Sequence, residues 1–335
     1  MVPPPPRLAR PPQGGGTGGP AKPDPLCPGA FQPYNGCMHF PIVALVGKYH
    51  DTGISAPLRA VAQMLRDAGR EVVFEKDTAA NIGVDEYPAA TVEEIGQRAS
   101  LAIVMGGDGT MLGVARQLAP WDVPVVGINH GRLGFITDIP LEDACTAVAG
   151  MLNGEFESET RTLLASSVIR GETTLVSALA LNDVVLSRAG LGGMLEVTVQ
   201  VDGLYMSKQR ADGLIIATPT GSTAYALSAN GPILHPSLRG LVLVPVAPQA
   251  LSNRPIAIPD DCTIEITLTR SPGGRDESAS VHFDMQSWSS LQEGDRVLVR
   301  RAEHTIRFLH PAGYSYFSTL RRKLHWNQIS GTAID

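Results

Sequence analysis

The sequence predicts an N-terminal α/β domain with a mostly parallel sheet, then a β-rich, sandwich-like domain, and a C-terminal helix that returns to the first domain. Three observations support this fold class. Strand-like and helix-like runs alternate over residues 38–154, which is typical of βαβ units. Strand-like runs separated by turn residues dominate residues 155–310. Residues 316–325 again carry apolar side chains at helical spacing, which predicts a final helix.

The domain boundaries follow from these changes of pattern. Residues 1–37 are dominated by proline and glycine, with too few apolar residues to offset the entropy of ordering, so we predict a disordered tail. Met38 stands directly before the first strand-like run, so translation starting at Met38 is a further hypothesis. We expect residues 38–154, with about 311–330, to form the α/β domain, and residues 155–310 to form the β-rich domain.

The elements of the first domain are read from apolar periodicity. The predicted strands are 42–46, 71–75, 101–105 and 123–128. A first helix is expected to be capped near Ser55, with a proline in its first turn, and to end at Gly69. Its apolar face holds Leu58, Val61, Ala62 and Leu65. Further helices are predicted at 92–98, 110–118 and 141–152.

The second domain is predicted to be almost entirely β. Its expected strands are 163–170, 175–181, 184–187, 195–201, 213–218, 241–246, 256–258, 263–268, 280–283 and 296–301. One short helix is expected at 223–229. This pattern is typical of a two-sheet sandwich.

Bulk properties exclude several classes of function. The formal charge is −6 over 335 residues, so an overall basic field for nucleic acid or anionic lipid is absent. No apolar run is long enough to span a membrane, and no signal peptide is recognisable. The four cysteines show no zinc-type spacing, which favours free thiols in a reducing compartment. We therefore expect a cytoplasmic protein without a nucleic-acid or membrane partner.

The most informative loop for chemistry joins the strand 101–105 to the helix after it. It reads Gly106, Gly107, Asp108, Gly109 and Thr110. Glycines let a ligand approach the main chain, and a helix N-terminus suits phosphate. A carboxylate would repel phosphate, but it suits Mg²⁺ or the proton of an attacking hydroxyl. The loop predicts phosphoryl transfer, although a simple capped turn is the alternative. Neither a P-loop nor the Rossmann glycine pattern is present.

Four further stretches carry polar residues next to predicted strands. Asn129 to Phe135 follows a strand of the parallel sheet, at the edge where ligands bind. Asn182 and Asp183 suit an adenine edge and a ribose hydroxyl. The run from Thr218 to Tyr225 offers four hydroxyls and a glycine before a helix. Val281 to Gln286 ends a strand with an acid and an amide, and alone it is a weak signal.

In this order, the five stretches resemble the motifs of the NAD kinase family, over about residues 41–326. The run Thr218 to Tyr225 separates that family from lipid kinases and phosphofructokinases, which share a similar GGDG element. The resemblance implies transfer of the γ-phosphoryl group of ATP to the 2′-hydroxyl of the adenosine ribose of NAD, giving NADP. It also implies an α/β domain followed by a β-rich domain, a site between them, and a homodimer or homotetramer.

The resemblance assigns residues position by position. Asp108 would be the catalytic aspartate, with Mg²⁺ near it. ATP or its phosphates would be bound by Gly106, Gly107, Gly109 and Thr110. NAD would be bound by Gly109, Asn129, Phe135, Asn182, Asp183, Arg210, Asp212, Thr223, Ala224, Tyr225 and Gln286. Among these, Asn182 would meet the adenine, Asp212 the nicotinamide side, and Arg210 the new phosphate.

Asp183 departs from the family pattern, which usually has glutamate after the asparagine. The carboxylate is kept, but the side chain is shorter by one methylene, so the sequence does not define its hydrogen bond to the ribose. Two other activities remain as alternatives: a lipid kinase of the diacylglycerol type, and a protein that senses the dinucleotide without turnover. The intact Asp108 argues against the second, because a sensor has no need of the acid.

Overall fold

The computed structural model describes residues 40–48, 52–131, 134–188, 193–271 and 279–326. The predicted disordered tail and Met38 lie outside these residues. Among the described residues, no helix is both long and apolar enough to cross a lipid bilayer.

Eighteen strands and seven α-helices are assigned among these residues. The strands are β1 (Ile42–Gly47), β2 (Glu71–Glu75), β3 (Ala89–Ala90), β4 (Leu101–Gly106), β5 (Val125–Asn129), β6 (Ile139–Pro140), β7 (Phe156–Arg170), β8 (Thr173–Ala180), β9 (Asp183–Arg188), β10 (Leu195–Val201), β11 (Leu204–Ala211), β12 (Gly213–Ala217), β13 (Gly240–Val246), β14 (Ile256–Pro259), β15 (Ile264–Arg270), β16 (Ala279–Phe283), β17 (Ser287–Leu291) and β18 (Arg296–Pro311). The helices are α1 (Ser55–Asp67), α2 (Lys76–Ile82), α3 (Val92–Arg98), α4 (Asp108–Leu118), α5 (Ala144–Leu152), α6 (Tyr225–Ser228) and α7 (Tyr316–Leu324).

The N-terminal half is built on a parallel sheet in the order β5-β4-β1-β2-β3. Its strands are apolar along their whole length because helices cover both faces. Helices α1, α2 and α5 pack on one face, and α3 and α4 pack on the other. The carboxyl ends of β4 and β5 meet at one edge, where Gly106 pairs with Asn129. This register brings two of the predicted loops together.

The C-terminal half is a sandwich of two antiparallel layers. One layer is a six-stranded sheet in the order β14-β13-β12-β9-β16-β17. The other contains β11-β10-β15-β18, with β7 and β8 beside β18. Apolar side chains from both layers, among them Leu186, Ile216, Ile266 and Val281, form the core between them. The α/β half and the sandwich-like half agree with the predicted fold class.

The two halves share one sheet, because the long strand β18 belongs to both. Its first residues pair with β15, it runs antiparallel to β7 along nearly its whole length, and Phe308 pairs with Val125 of β5. A single sheet of 12 strands therefore continues from one half into the other. The sequence predicted only the segment 296–301 of this strand, because the later residues lack a clear apolar alternation.

Several predicted elements differ at their ends. Helix α4 begins at Asp108 rather than at residue 110, because the backbone is already helical at Asp108 and Gly107 is its N-cap. Ser55 is the first residue of α1 and not its cap. Helix α2 was not predicted, since its short sequence has no apolar period; the Glu75 side chain caps it. The edge strands β11 and β17 were also missed, because few of their residues are buried.

Helix α7 touches residues of both halves. Ser315 caps its first turn by accepting a hydrogen bond from the Ser318 amide. The Tyr316 ring lies edge-on to His235 of the sandwich half, with centroids 5.2 Å apart. At the other end, the Lys323 ammonium lies 5.5 Å above the Phe135 ring of the α/β half. The C-terminal helix thus lies beside the edge where β4 and β5 end.

Candidate active site

The loop between β4 and α4 places an acid at a helix N-terminus. Asp108 is the first residue of α4, and it is half-buried. The amides of Thr110 and Met111 both donate to the Gly107 carbonyl, whereas no described residue accepts from the amides of Asp108 and Gly109. A Cβ added to Gly107 would meet open space. These free donors, at the positive end of the helix dipole, suit an anionic group.

The carboxylate of Asp108 is fixed by the loop after β5. Its Oδ2 accepts from the Phe135 amide at 2.8 Å. Its Oδ1 accepts from the amides of Ile136 and Thr137 at 3.3 and 3.2 Å, and from the Thr137 hydroxyl at 3.0 Å. A Cβ on Gly134 would lie 1.9 Å from Oδ1, so only glycine lets this loop close on the acid. Asp108 is therefore held in one orientation.

Asn129 acts one step behind this carboxylate. Its side chain is almost fully buried, and its amide donates to the Thr137 hydroxyl at 3.0 Å. That hydroxyl in turn donates to Asp108. Asn129 was predicted to bind NAD, and the structure brings it to the site through Thr137.

The loop of Asn182 and Asp183 is held by a buried acid that received no role in the sequence analysis. The Asp284 side chain is fully buried, and its Oδ1 accepts from the amides of Asn182 and Asp183 at 2.7 and 3.1 Å. Its Oδ2 accepts from the Leu181 amide and from Arg116, each at 2.9 Å. Asp284 thus fixes the backbone that presents Asn182.

Arg116 and Gln286 link this acid to helix α4. Besides its ion pair with Asp284, Arg116 donates to the Gln286 side-chain oxygen at 2.6 Å. The side-chain Nε2 of Gln286 donates to the Gly109 carbonyl at 2.6 Å. Asp284 and Met285 both have positive φ, of 50° and 56°. They form a tight turn, which is closed by a hydrogen bond from the backbone N–H of Gln286 to the Phe283 carbonyl. Helix α4 and the β16–β17 turn are therefore one connected unit.

The run from Thr218 to Tyr225 packs against the same loop. The Thr218 hydroxyl donates to the Leu181 carbonyl at 2.6 Å and accepts from the Gly221 amide at 3.1 Å. A Cβ on Gly221 would lie 2.0 Å from the Asn182 carbonyl oxygen, so the two loops touch through their backbones. Ser222 is fully buried and bonds to Pro219 and Leu234.

The hydroxyls of this run form hydrogen bonds within the protein. Thr220 accepts from Arg161, and Thr223 donates to the Thr220 carbonyl. The exposed group at the end of the run is the Tyr225 side chain, which is 39% accessible. The density of small polar residues therefore serves a compact turn, in which Thr223, Ala224 and Tyr225 follow the Gly221 backbone that lies against Asn182.

Asp183 is a second buried acid next to the first. Its Oδ1 has no hydrogen-bond partner among the described residues. Burial, and then the nearby charge of Asp284, raise the pKa of Asp183 to about 7. Burial also raises the pKa of Asp284, but Arg116 and the three backbone amides oppose this effect. Asp284 accepts hydrogen bonds from Arg116 and three backbone amides, whereas Asp183 Oδ1 accepts none from the described residues. The protonated form is therefore favoured at Asp183.

Arg210 and Asp212 lie apart from the residues above. Asp212 precedes β12 and forms an ion pair with Arg188, at 2.8 Å, whereas the Thr218 turn follows the other end of β12. Five residues of extended strand span roughly 16 Å. Every residue of β12 is buried. The structure therefore does not bring Arg210 and Asp212 to Asp108 within one chain.

A divalent cation was also predicted at Asp108. No group of three or more histidine, cysteine or acidic side chains that could hold a metal occurs among the described residues. Mg²⁺ commonly takes only one or two protein carboxylates, with the rest of its ligands from phosphate and water. Asp108 fits that role, because Oδ2 accepts a single hydrogen bond.

Asp284, Arg116 and Thr137 are the site residues that sequence reasoning missed. Asp284 was quoted within its motif, but no local pattern showed that its carboxylate reaches the loop 181–183. Arg116 lies on the helix that starts with Asp108, and a basic residue there has an ordinary explanation at a helix C-terminus. The partners of Asp284 and Arg116 are more than 100 residues away in sequence, so only the fold reveals these two residues.

An α/β half with a glycine-lined helix N-terminus, a fixed carboxylate and free amide donors defines a phosphotransferase. Known proteins show which one. Residues 43–156 match the ATP-NAD kinase N-terminal domain, and residues 181–311 match the ATP-NAD kinase C-terminal domain. The NAD kinase of Bordetella avium (strain 197N) is 67% identical over 292 residues, which are 87% of this chain and 97% of that protein. The NAD kinase of Ralstonia nicotianae is 57% identical over 294 residues, 88% of this chain and 96% of that protein.

Solved structures agree. An NAD kinase from Archaeoglobus fulgidus in complex with ATP has a TM-score of 0.66 at 25% identity, covering 85% of this chain and 98% of that chain. Yeast NADH kinase complexed with NADH shares the fold, with a TM-score of 0.81 at 21% identity over 88% of this chain and 90% of that chain. The chain belongs to the NAD kinase family, whose reaction is ATP-dependent phosphorylation of NAD. The predicted family, enzyme class and reaction are confirmed.

The raised pKa of Asp183 predicts a pH-dependent stability. The fold favours the protonated acid, so this contribution is present below the unfolded pKa of about 4 and is lost as pH rises through about 7. Asp183→Asn removes the ionisation. We expect the free energy of unfolding of the wild type, minus that of the variant, to fall by about 1–4 kcal/mol between pH 4.5 and 8.

Urea denaturation at several pH values measures this difference. Asp85→Asn is the control for the loss of one carboxylate at an exposed position. A flat difference for Asp183→Asn would show that Asp183 is ionised in the folded protein at pH 5, contrary to the assignment.

Proposed function

We propose that Asp108 is the group that activates the 2′-hydroxyl of the adenosine ribose of NAD. In the reaction, the hydroxyl oxygen forms a bond to the γ-phosphorus of ATP, the bond from that phosphorus to the bridging oxygen breaks, and ADP leaves. Asp108 orients the hydroxyl and takes its proton. The observation that carries this proposal is the carboxylate held by four hydrogen bonds beside the free amides of Asp108 and Gly109.

The phosphate groups would lie on the N-terminal turn of α4. The backbone of Gly106, Gly107, Gly109 and Thr110 supplies close approach and N–H donors there. Little covalent chemistry is needed, because positioning and charge neutralisation provide most of the acceleration of phosphoryl transfer. Mg²⁺, when bound, would neutralise charge on the phosphates, and Asp108 is the carboxylate that would hold it.

The adenosine end of NAD would lie between the two loops that Asp284 and Gly221 hold together. Asn182 would pair with the adenine edge, and Thr223, Ala224 and Tyr225 would form the wall beside it. Phe135, Gly109 and Gln286 would line the neighbouring sides. A protonated Asp183 can donate a hydrogen bond to a ribose oxygen, which an ionised carboxylate cannot do.

The nicotinamide end would reach Arg210 and Asp212 of a second copy of the chain. A dinucleotide cannot lie along β12 within one chain, because that strand is buried between two apolar layers. The neighbouring edge strand β11 exposes Leu204 and Tyr205, at 75% and 68% accessibility. An exposed apolar edge is typical of an interface. A homodimer or homotetramer would therefore complete the site.

Two further properties accompany this function. We place the protein in the cytoplasm, where ATP and NAD are available and where free thiols such as Cys145 and Cys262 persist. We also propose the division into an α/β domain at 38–154 with about 311–330, which supplies the phosphate turn, and a dinucleotide-binding domain at 155–310.

Asp108→Asn tests the catalytic role. It keeps the size of the side chain but removes the base, so we expect kcat for NADP formation to fall by about 10²–10⁴-fold, with the calorimetric Kd for NAD changed by less than about threefold. Asp143→Asn is the matched control, because Asp143 is an exposed acid at the start of another helix, α5. It should keep the wild-type kcat. A variant of Asp108 with wild-type kcat would rule out this mechanism, while a wild type that binds NAD without turnover would rule out the enzyme.

Mixing two inactive variants tests the role of the second copy. Asp108→Asn and Asp212→Asn subunits are co-expressed with different affinity tags, and the hetero-oligomer is purified through both. If Asp212 acts across the interface, one kind of site in the hetero-oligomer is intact, and about half of the wild-type activity should return. If Asp212 acts on the site of its own chain, every site carries a defect and the hetero-oligomer stays inactive.

A further inference from the structure

A buried row of charged side chains connects two walls of the site. We call it the His310 chain. His310 on β18 is 1% exposed, and its Nδ1 lies 3.0 Å from Asp138 Oδ2 while its Nε2 lies 3.4 Å from Glu159 Oε2. Glu159 accepts from Arg161 at 2.7 Å, and Arg161 donates to the Thr220 hydroxyl at 3.0 Å. The proposed reaction uses none of these four charged groups.

The two ends of the His310 chain lie next to residues that the reaction does use. Asp138 directly follows Thr137, whose amide and hydroxyl hold Asp108. Thr220 directly precedes Gly221, whose backbone lies against Asn182. The His310 chain therefore extends from the loop that orients Asp108 to the turn that would hold the adenosine. Every link between them is buried or nearly so.

Charge balance decides the protonation state of His310. Two carboxylates and one guanidinium would leave a net negative charge in the interior, and an imidazolium makes the group neutral. Burial lowers the pKa of His310, but Asp138 and Glu159 outweigh it and raise that pKa overall. Burial raises the pKa of Glu159, but His310 and Arg161 outweigh it and hold it at about 2. These shifts favour the imidazolium of His310 and the carboxylate of Glu159.

Aromatic rings fix the position of the imidazolium. The Tyr314 ring stacks on His310, with centroids 3.8 Å apart and planes 8° from parallel. Phe308 is also nearly parallel to it, at 6.4 Å. Glu157, which is not part of the His310 chain, lies opposite His310 in the register of β7 and β18, and its carboxylate accepts from the Gly313 amide. Arg321 and Arg322 line the cavity on the far side of Asp138. The ring has little freedom to move.

We propose that His310 is a positioning residue for phosphoryl transfer: its imidazolium holds Asp138 and Glu159 at a fixed separation, and thereby sets the spacing between Asp108 and the turn that begins at Thr218. The proposal rests on the proposed role of Asp108. A buried ion group of this kind adds little net stability compared with an apolar replacement. Its value here is geometric, because a displacement of about 1 Å between reacting groups can cost a factor of roughly 100 in rate.

A charge-compensated pair of variants tests the proposal. His310→Gln removes the cation, and Asp138→Asn removes one anion. His310→Gln leaves a net negative charge in the interior, and Asp138→Asn removes the carboxylate that His310 Nδ1 contacts, so in each single variant we expect kcat to fall by about 10–100-fold while KM for NAD changes by less than about threefold. The double variant His310→Gln with Asp138→Asn is neutral and allows an amide-to-amide hydrogen bond. We expect its kcat to return to within about fivefold of the wild type.

Asp295→Asn is the control for a loss of stability alone. Asp295 is also a buried carboxylate, paired with Arg170 at the far end of β18, so this variant should lower Tm and leave kcat unchanged. Circular dichroism checks that each variant folds. If His310→Gln is too unstable, Asp138→Asn against the double variant still measures the rescue.

Three results would overturn the proposal while leaving the kinase assignment in place. One is a His310→Gln variant that keeps kcat within twofold of the wild type. Another is a double variant whose loss equals the product of the two single losses, which would show no coupling. The third is a single variant whose KM rises while kcat is unchanged. Failure of the wild type to form NADP would instead contradict the proposed function itself.

Discussion

The buried carboxylate of Asp284 is the contact on which the rest of the site depends. It accepts three backbone amides from the loop 181–183 and a guanidinium from α4. Arg116 and Gln286 connect it by hydrogen bonds to Gly109 in the first turn of α4. Breaking one side of a buried ion pair commonly costs about 3–5 kcal/mol, because the remaining charge has no compensation. The two halves of the molecule therefore meet at the site in one arrangement.

The proposed chemistry depends on the surroundings of two acids, Asp108 and Asp183. Asp108 is oriented by donors from Phe135, Ile136 and Thr137, and we propose that it accepts from the ribose hydroxyl. Asp183 is buried without a donor to its Oδ1 and next to Asp284, so it favours the protonated form. In the proposed mechanism, the two aspartates would thus offer an acceptor and a donor to the ribose. Environment, and not residue type, assigns these roles.

Local patterns predicted much of this structure. The glycines and Asp108 predicted a turn between a strand and a helix, because they end a fully apolar strand. The change from helix-strand alternation to strands alone predicted two kinds of architecture. The shared sheet was not predictable, because the second half of β18 alternates poorly and its pairing with β7 joins residues that are far apart in sequence. Arg116, Asp284 and His310 were missed for the same reason, since each matters only through a distant partner. The internal hydrogen bonds of the Thr218 turn were not predictable either, because a sequence does not show which way a side chain faces.

Hydrogen exchange at the amides of Leu181, Asn182 and Asp183, in the wild type and in Asp284→Asn, tests the central claim most directly. The account predicts that these three amides exchange at least about tenfold faster in the variant, and that kcat falls by a similar or larger factor. The same measurement on Asp295→Asn, which breaks a buried ion pair with Arg170 far from Asp108, should leave both unchanged. Equal protection of the three amides in the wild type and Asp284→Asn would show that the loop is held by other contacts, and would contradict the account.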